Sequence, residues 1–300
     1  MVTGGAGFIG THTVRALLAA GATVMVIDDL RHPCGEPVPS EAVFVKADVG
    51  SQEAAAVIVD FGPRGVVHLA AQGGVSRSVR DPAADALVNV IGTVAVIKAA
   101  SDSGCQRLVF SSSGGAIYGK PRRLPSREGD AAQPLSPYGA AKLAAEGYLG
   151  MFTRTFGLST VALRYANIYG PYQDGSGEAG VVAISCHRLA HGLPPQVTGD
   201  GMQTRDFTFV GDVALANLAA LRSRVTGPVN IGTGRATSVA TVAGLLSKIA
   251  GVQQPPLGLP ARMGEVRSTC LEVEKAHRTL GWTPATTLED GLTTTFASFQ

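Results

Sequence analysis

The chain has 300 residues, 45% of them hydrophobic and 16% charged, with 38 glycines and a formal net charge of +2. That composition suits a compact α/β protein, either one large domain or a domain with a smaller lobe, and excludes a disordered chain. So small a net charge gives no case for a nucleic-acid or membrane partner, and a cluster such as Arg122-Arg123 reads as solvated loop. Cys34, Cys105, Cys186 and Cys270 are scattered without metal or redox spacing. His187 and His191 flank Arg188, which stands where a zinc metalloprotease motif has glutamate, so no metal is expected. The start of the chain has no basic segment followed by an apolar one, and no apolar run reaches about 18 residues, so the expected location is cytoplasmic.

The first organised stretch runs from Val2 through Gly4, Gly7, Phe8, Ile9 and Gly10 into a helix-like segment, Thr13 to Ala20, and then a strand, Thr23 to Ile27, ending in Asp28. Glycines in the spacing GxxGxxG let the backbone turn, approach a pyrophosphate and pack the helix on a sheet. An acidic residue about 20 positions on suits a ribose. Asp28 followed by Asp29 and Leu30, rather than by a base, favours NAD over NADP. Little chain precedes the glycine turn, so the first strand is expected to be truncated, or the start to be mis-assigned.

Strand and helix signals then alternate: a strand from Ala42 to Lys46 leading to Asp48 and Val49, a helix from Gln52 to Asp60, and a strand from Gly65 to Ala71 carrying Leu69, Ala70 and Ala71. A long helix, Ala83 to Ser101, carries Asn89, and a buried strand, Arg107 to Ser111, delivers Ser112 and Ser113. This alternation predicts a doubly wound parallel sheet with its ligand beyond the carboxyl ends of the strands. Ser136 is a helix cap and Pro137 suits the first helical position, which puts Tyr138 in the first turn and Lys142 one turn on, facing it. A neighbouring ammonium and the positive helix end are expected to favour the Tyr138 phenolate, making it a base.

Together these segments resemble the extended short-chain dehydrogenase/reductase family: the glycine turn from Gly4 to Gly10, His68-Leu69-Ala70-Ala71-Gln72, Asn89 to Thr93, Ser111 to Ser113 and Tyr138 to Lys142. Within it, the stretches Leu163 to Pro171, Gly199 to Phe207 and Leu280 to Pro284 resemble the nucleotide-sugar epimerases of the UDP-glucose 4-epimerase type. The resemblance runs end to end. It implies a Rossmann fold with a smaller carboxyl-terminal substrate lobe, divided as 1–165 plus 205–232 and 166–204 plus 233–300. Bound NAD is implied on the glycine turn, Asp28, Asp29, Leu30, Asp48, Val49, Leu69, Ala70, Ala71, Asn89, Tyr138, Lys142 and Tyr165. A UDP-sugar is implied on Ser113, Asn167, Val181, Thr198, Arg205, Arg262, Glu265 and Thr269.

By the same resemblance Tyr138 is the base, Lys142 tunes it, and Ser113 holds the sugar oxygen, with Ser112 as the alternative. Two guanidiniums, Arg205 and Arg262, suit a diphosphate better than lysines would. Arg205 could instead pair with Asp206. Gly114 and Gly115 stand where related dehydratases and decarboxylases carry acidic residues, so one base without a second acid suits reversible hydride transfer at C4 through a 4-keto sugar. The small Thr269 occupies the position at which related enzymes gate N-acetyl groups. Other nucleotide-sugar epimerases or 4-keto reductases on GDP- or dTDP-sugars, and a non-catalytic NAD-binding sensor, are the competing readings. Helices Ala83 to Ser101 and Tyr138 to Phe152 are implied to pair in a homodimer, and Val239 to Ile249 and Leu271 to Leu280 to be helices of the cap.

Overall fold

The computed structural model describes residues 1–176, 180–260 and 266–300. The chain begins with β1 (Val2–Thr3), α1 (Phe8–Ala19), β2 (Met25–Asp28), β3 (Val43–Lys46), α2 (Gln52–Phe61) and β4 (Gly65–His68). Then come α3 (Val75–Arg80), α4 (Pro82–Ala86), a π-helical turn (Leu87–Gly92), α5 (Thr93–Asp102), β5 (Arg107–Ser113), α6 (Gly114–Ile117), α7 (Pro137–Phe156), β6 (Ser159–Tyr165) and β7 (Asn167–Tyr169). The remainder is α8 (Val181–Ala190), β8 (Gln196–Thr198), β9 (Thr204–Arg205), β10 (Phe207–Phe209), α9 (Val210–Arg222), β11 (Gly227–Ile231), β12 (Thr237–Ser238), α10 (Val239–Ala250), β13 (Leu257–Leu259), α11 (Glu274–Leu280) and α12 (Leu288–Ala297).

Seven parallel strands form the main sheet in the order β11-β6-β5-β4-β1-β2-β3. Strands buried on both faces read as near-continuous apolar runs, and β4 and β5 do so. Ile58, Val96, Ile97, Phe110 and Leu149 form the core on one face; Val14, Leu17, Val213, Ala216 and Trp282 form it on the other. Each fully buried Val, Leu, Ile or Phe side chain among them contributes about 1.5–3 kcal/mol. The strand order reverses between β1 and β4, which makes the crevice above those two strands the expected ligand position.

β1 is short, as its few residues require, yet it is central: it pairs with β2 and β4, and the amides of Leu69 and Gly4 extend the ladders to Thr3 O and Ile27 O. β4 stops at His68 rather than at Ala71, because Asn89 pulls the next residues away. Its Oδ1 accepts from Gln72 N at 2.9 Å and its Nδ2 donates to Gln72 O at 3.0 Å. The single helix expected over Ala83 to Ser101 runs from Pro82 to Asp102, but with the π turn in its middle, and α3 ahead of it was not foreseen. Its 21 residues are long and apolar enough to cross a membrane, yet Val96, Ile97 and Ala100 pack into the core.

A separate core joins α8, α10 and α12 through Val182, Cys186, Val242, Leu246, Leu292 and Phe296. The helix expected over Leu271 to Leu280 starts only at Glu274. It packs against β11 and α9 rather than among the cap helices, because Ala276 is buried there and Trp282 Nε1 donates to Asp212 O at 2.8 Å.

Candidate active site

Two cavities open above the carboxyl ends of the strands. The smaller, about 290 Å³, is lined by Gly4, Gly7, Asp28, Asp29, Asp48, Val49, Leu69, Ala70 and Ala71 among others. Its floor is the β1–α1 turn. Gly4 has φ +70°, and a Cβ there would meet Ala70 N at 2.5 Å; a Cβ on Gly10 would meet Gly4 O at 2.0 Å. Only glycine lets the turn, β4 and α1 come this close. α1 starts at Phe8 and Ile9 with no side-chain cap and no acidic residue in its first turn, so its amides and positive end are left for an anion.

Asp28 closes the far end. Its Oδ2 accepts from Ala6 N at 3.0 Å and its Oδ1 from Leu30 N at 2.9 Å, which draws Leu30 to φ +61°. Burial pushes the carboxyl up, and those two amides pull it back. Arg31 also lines the cavity, but it is held by Asp29 at 2.6 Å and by Asp48. Among the described groups these features fit a dinucleotide: an open helix end, a carboxylate for ribose hydroxyls, and a Gln72 Oε1 that is buried without a partner.

The larger cavity, about 670 Å³, is lined by Ser113, Tyr138, Asn167, Val181, Thr198, Arg205 and Thr269. Ser136 Oγ accepts from Gly139 N at 3.2 Å, Pro137 opens α7, and one turn later Lys142 Nζ lies 4.7 Å from the Phe110 ring centre and 5.7 Å from that of Tyr138. Ser113 and Tyr138 line this cavity together, and the Ser113 hydroxyl acts to lower the Tyr138 phenol. Ser112 turns to the other face of β5, where its hydroxyl donates to Glu146 Oε1 at 2.6 Å. Glu146 in turn receives Arg164 Nε at 2.9 Å and Nη2 at 2.7 Å.

The electrostatics depart from expectation. Burial pushes the Tyr138 phenol up to about 12, with Ser113 pulling it back and Asp85 pushing it further. Burial lowers Lys142 to about 8, against a raising effect of Asp85. Desolvation outweighs the helix end and the ammonium, so the protein alone holds the phenol protonated at neutral pH.

Asn89 and Tyr165 line neither cavity. Asn89 is fully buried and spends its amide on Gln72 and Asp85; Tyr165 lies under the site, its hydroxyl donating to Asn217 Oδ1 at 2.6 Å. Arg205 Nη1 donates to Thr204 O at 2.8 Å. The Asp206 carboxylate is occupied elsewhere, its oxygens accepting from Thr233 N, Thr233 Oγ1, Gly234 N and Leu271 N. Arg262 and Glu265 lie outside the described residues. Gln173 and Gln203, also on the larger cavity, were missed, since isolated glutamines in a Gly- and Pro-rich stretch carry no spacing signal. Thr269 Oγ1 and Gln173 Oε1 are buried without partners.

The profile of the NAD dependent epimerase/dehydratase family matches residues 1–232. The UDP-glucose 4-epimerase of Mycolicibacterium smegmatis is 40% identical over 311 residues, covering 100% of this chain and 98% of the relative. The crystal structure of UDP-glucose 4-epimerase with UDP-glucose from Thermotoga maritima superposes with a TM-score of 0.96 at 43% identity, covering 99% of this chain and 97% of that one. That of the Thermus thermophilus UDP-glucose 4-epimerase complex with NAD gives 0.93 at 40% identity, with 99% and 97% covered.

Proposed function

Because the chain belongs to the NAD dependent epimerase/dehydratase family, we propose that it is an isomerase that inverts C4 of UDP-glucose and UDP-galactose with resident NAD. The observation that carries this reading is that Ser113 and Tyr138 line a cavity large enough for a nucleotide sugar, with Lys142 one helical turn behind Tyr138 and a second cavity over the β1–α1 glycine turn.

Gly4, Gly7, the amides of Phe8 and Ile9, Asp28 and the 69–72 loop would hold NAD. When bound, NAD supplies a reversible acceptor for the C4 hydrogen with its electron pair. Tyr138 Oη takes the proton of the 4-hydroxyl and returns it after the keto sugar has turned, and Ser113 Oγ holds the same oxygen in place. To accept that proton Tyr138 must first be the phenolate, and Lys142 supplies the positive charge that favours this form. Asn167 and Arg205 suit the diphosphate, and Gly114 and Gly115 supply no second acid or base, which supports transfer without elimination. Thr269, small and with an unpartnered hydroxyl in the sugar cavity, supports acceptance of UDP-N-acetylhexosamines too.

The second core, on α8, α10 and α12, supports a substrate lobe contributed by 166–204 and 233–300, with α11 attached to the other half. Leu87 and Ile91, 64% and 58% exposed on the π turn, and Tyr148 on α7 support a homodimer through these helices. The free, scattered cysteines suit a cytoplasmic enzyme.

The test is anion-exchange analysis of protein incubated with UDP-glucose, UDP-galactose or UDP-N-acetylglucosamine without added NAD, beside Tyr138→Phe. Interconversion reduced roughly 100- to 10,000-fold in the variant is expected; absence of conversion of every sugar, with NAD also supplied, would overturn the reading.

A further inference from the structure

The end of β5 that carries Ser113 is paired on one side only. β4 stops at His68, opposite Phe110, whereas β6 stays paired with β5 as far as Ser113. Ser111, Ser112 and Ser113 therefore project past β4, and the chain turns at once into α6. A side chain that works on a reacting atom has to be held to within about 0.5 Å by packing and hydrogen bonds behind it. A strand end with one neighbour does not supply that hold by itself.

Ser112 does. Its hydroxyl donates to Glu146 Oε1 on α7 at 2.6 Å. Arg164 stands opposite Ser112 on β6 and donates to the same carboxylate, from Nε to Oε1 at 2.9 Å and from Nη2 to Oε2 at 2.7 Å. Its Nη1 donates to Tyr118 Oη at 2.9 Å. The side chains of Arg164 and Glu146 are only 5% and 9% exposed, and Ser112 is buried with them. Glu146 follows Tyr138 by eight residues and Lys142 by four, so the three share one face of α7. One carboxylate thereby ties the strand end that carries Ser113, and the helix face that carries Tyr138, to β6. Burying an ion pair costs about what its attraction returns, and apolar side chains of similar size would hold these elements together as well. What apolar packing lacks is direction, which a two-pronged guanidinium–carboxylate pair supplies.

We propose that Ser112 and Glu146, braced by Arg164, are positioning residues that set Ser113 against Tyr138 by pinning the free end of β5 to α7. None of the three lines either cavity, so they act through Ser113 and Tyr138. Their role in turnover rests on the epimerase reading; the pinning of β5 to α7 does not.

The experiment is a double-mutant cycle on UDP-glucose interconversion with Ser112→Ala, Ser113→Ala and the two combined, beside crystal structures of wild type and Ser112→Ala. Ser112→Ala is expected to lower kcat about 10- to 100-fold, the cost of a misplaced group, with KM little changed. In Ser113→Ala no hydroxyl is left to place, so adding Ser112→Ala is expected to cost less than about twofold more. Should Ser112→Ala not fold, Ser112→Cys, close in size and only a weak donor, takes its place. Losses that multiply in the double variant would mean that Ser112 is merely structural, and an unchanged kcat in the folded single variant would equally overturn the proposal. In the crystals, Ser113 Oγ is expected to move by about 0.5 Å or more relative to Tyr138 Oη; a Ser113 that stays in place overturns the pin whatever the rate. Wild-type protein that interconverts no UDP-hexose would contradict the epimerase reading, while the crystal comparison still decides for or against the pin.

Discussion

Tyr138 and Lys142 share one helix turn, and burial drives them in opposite directions: the phenol up to about 12 and the ammonium down to about 8. If the ammonium is the form that works, turnover is present below that value and is lost as the pH rises through it. A pH–rate profile with a falling alkaline limb near about 8 is therefore expected, and constant turnover up to pH about 10 would contradict it. For protein stripped of NAD, ultraviolet difference titration against Tyr138→Phe should show no Tyr138 phenolate at neutral pH. At the other cavity, Gly4→Ala places a methyl 2.5 Å from Ala70 N on a residue with φ +70°. The backbone alone then costs about 1–2 kcal/mol, before the clash, and purified variant should carry little NAD while remaining folded by circular dichroism.

At the scale of elements, α7 depends on its start. Ser136 caps Gly139 N, and Tyr138 and Lys142 lie in the first two turns that follow. Ser136→Ala should lower unfolding free energy by about 1 kcal/mol, read by urea titration, and should slow turnover by loosening the first turn. The cap, Pro137 and the spacing to Lys142 were all legible in the sequence, because capping is local chemistry. So was the strand alternation that set the sheet. The π turn was not legible, since one inserted residue leaves the apolar pattern of 83–101 almost unchanged. The Asn89 clamp, the Asp206 hub and the Glu146–Arg164 pair were equally hidden. Each joins residues far apart in sequence, and a buried carboxylate looks like any surface one until its surroundings are known. The sequence favours Ser113, with Ser112 as the alternative; the pleat of β5, which sends neighbours to opposite faces, puts Ser113 on the cavity and Ser112 on Glu146.

For the whole molecule, one sheet carries two cores, and α8, α10 and α12 form a third. Leu87 and Ile91 project from the back of the helix whose inner side carries Asn89 and Asp85, so association there would brace the site from behind. Leu87→Asp combined with Ile91→Asp should convert a dimer to a monomer by light scattering at micromolar concentration. A wild-type protein that is already monomeric would remove the homodimer from the account.

The central claim is that the hydrogen at C4 leaves and returns within one closed site. UDP-glucose deuterated at C4, incubated in ordinary water with protein and no added NAD, tests it most directly by mass spectrometry and NMR of the product. UDP-galactose that keeps its deuterium at C4 is the expected result. Product with the label exchanged for solvent hydrogen would mean inversion by proton abstraction, and would contradict the roles of the dinucleotide crevice and Tyr138 in hydride transfer.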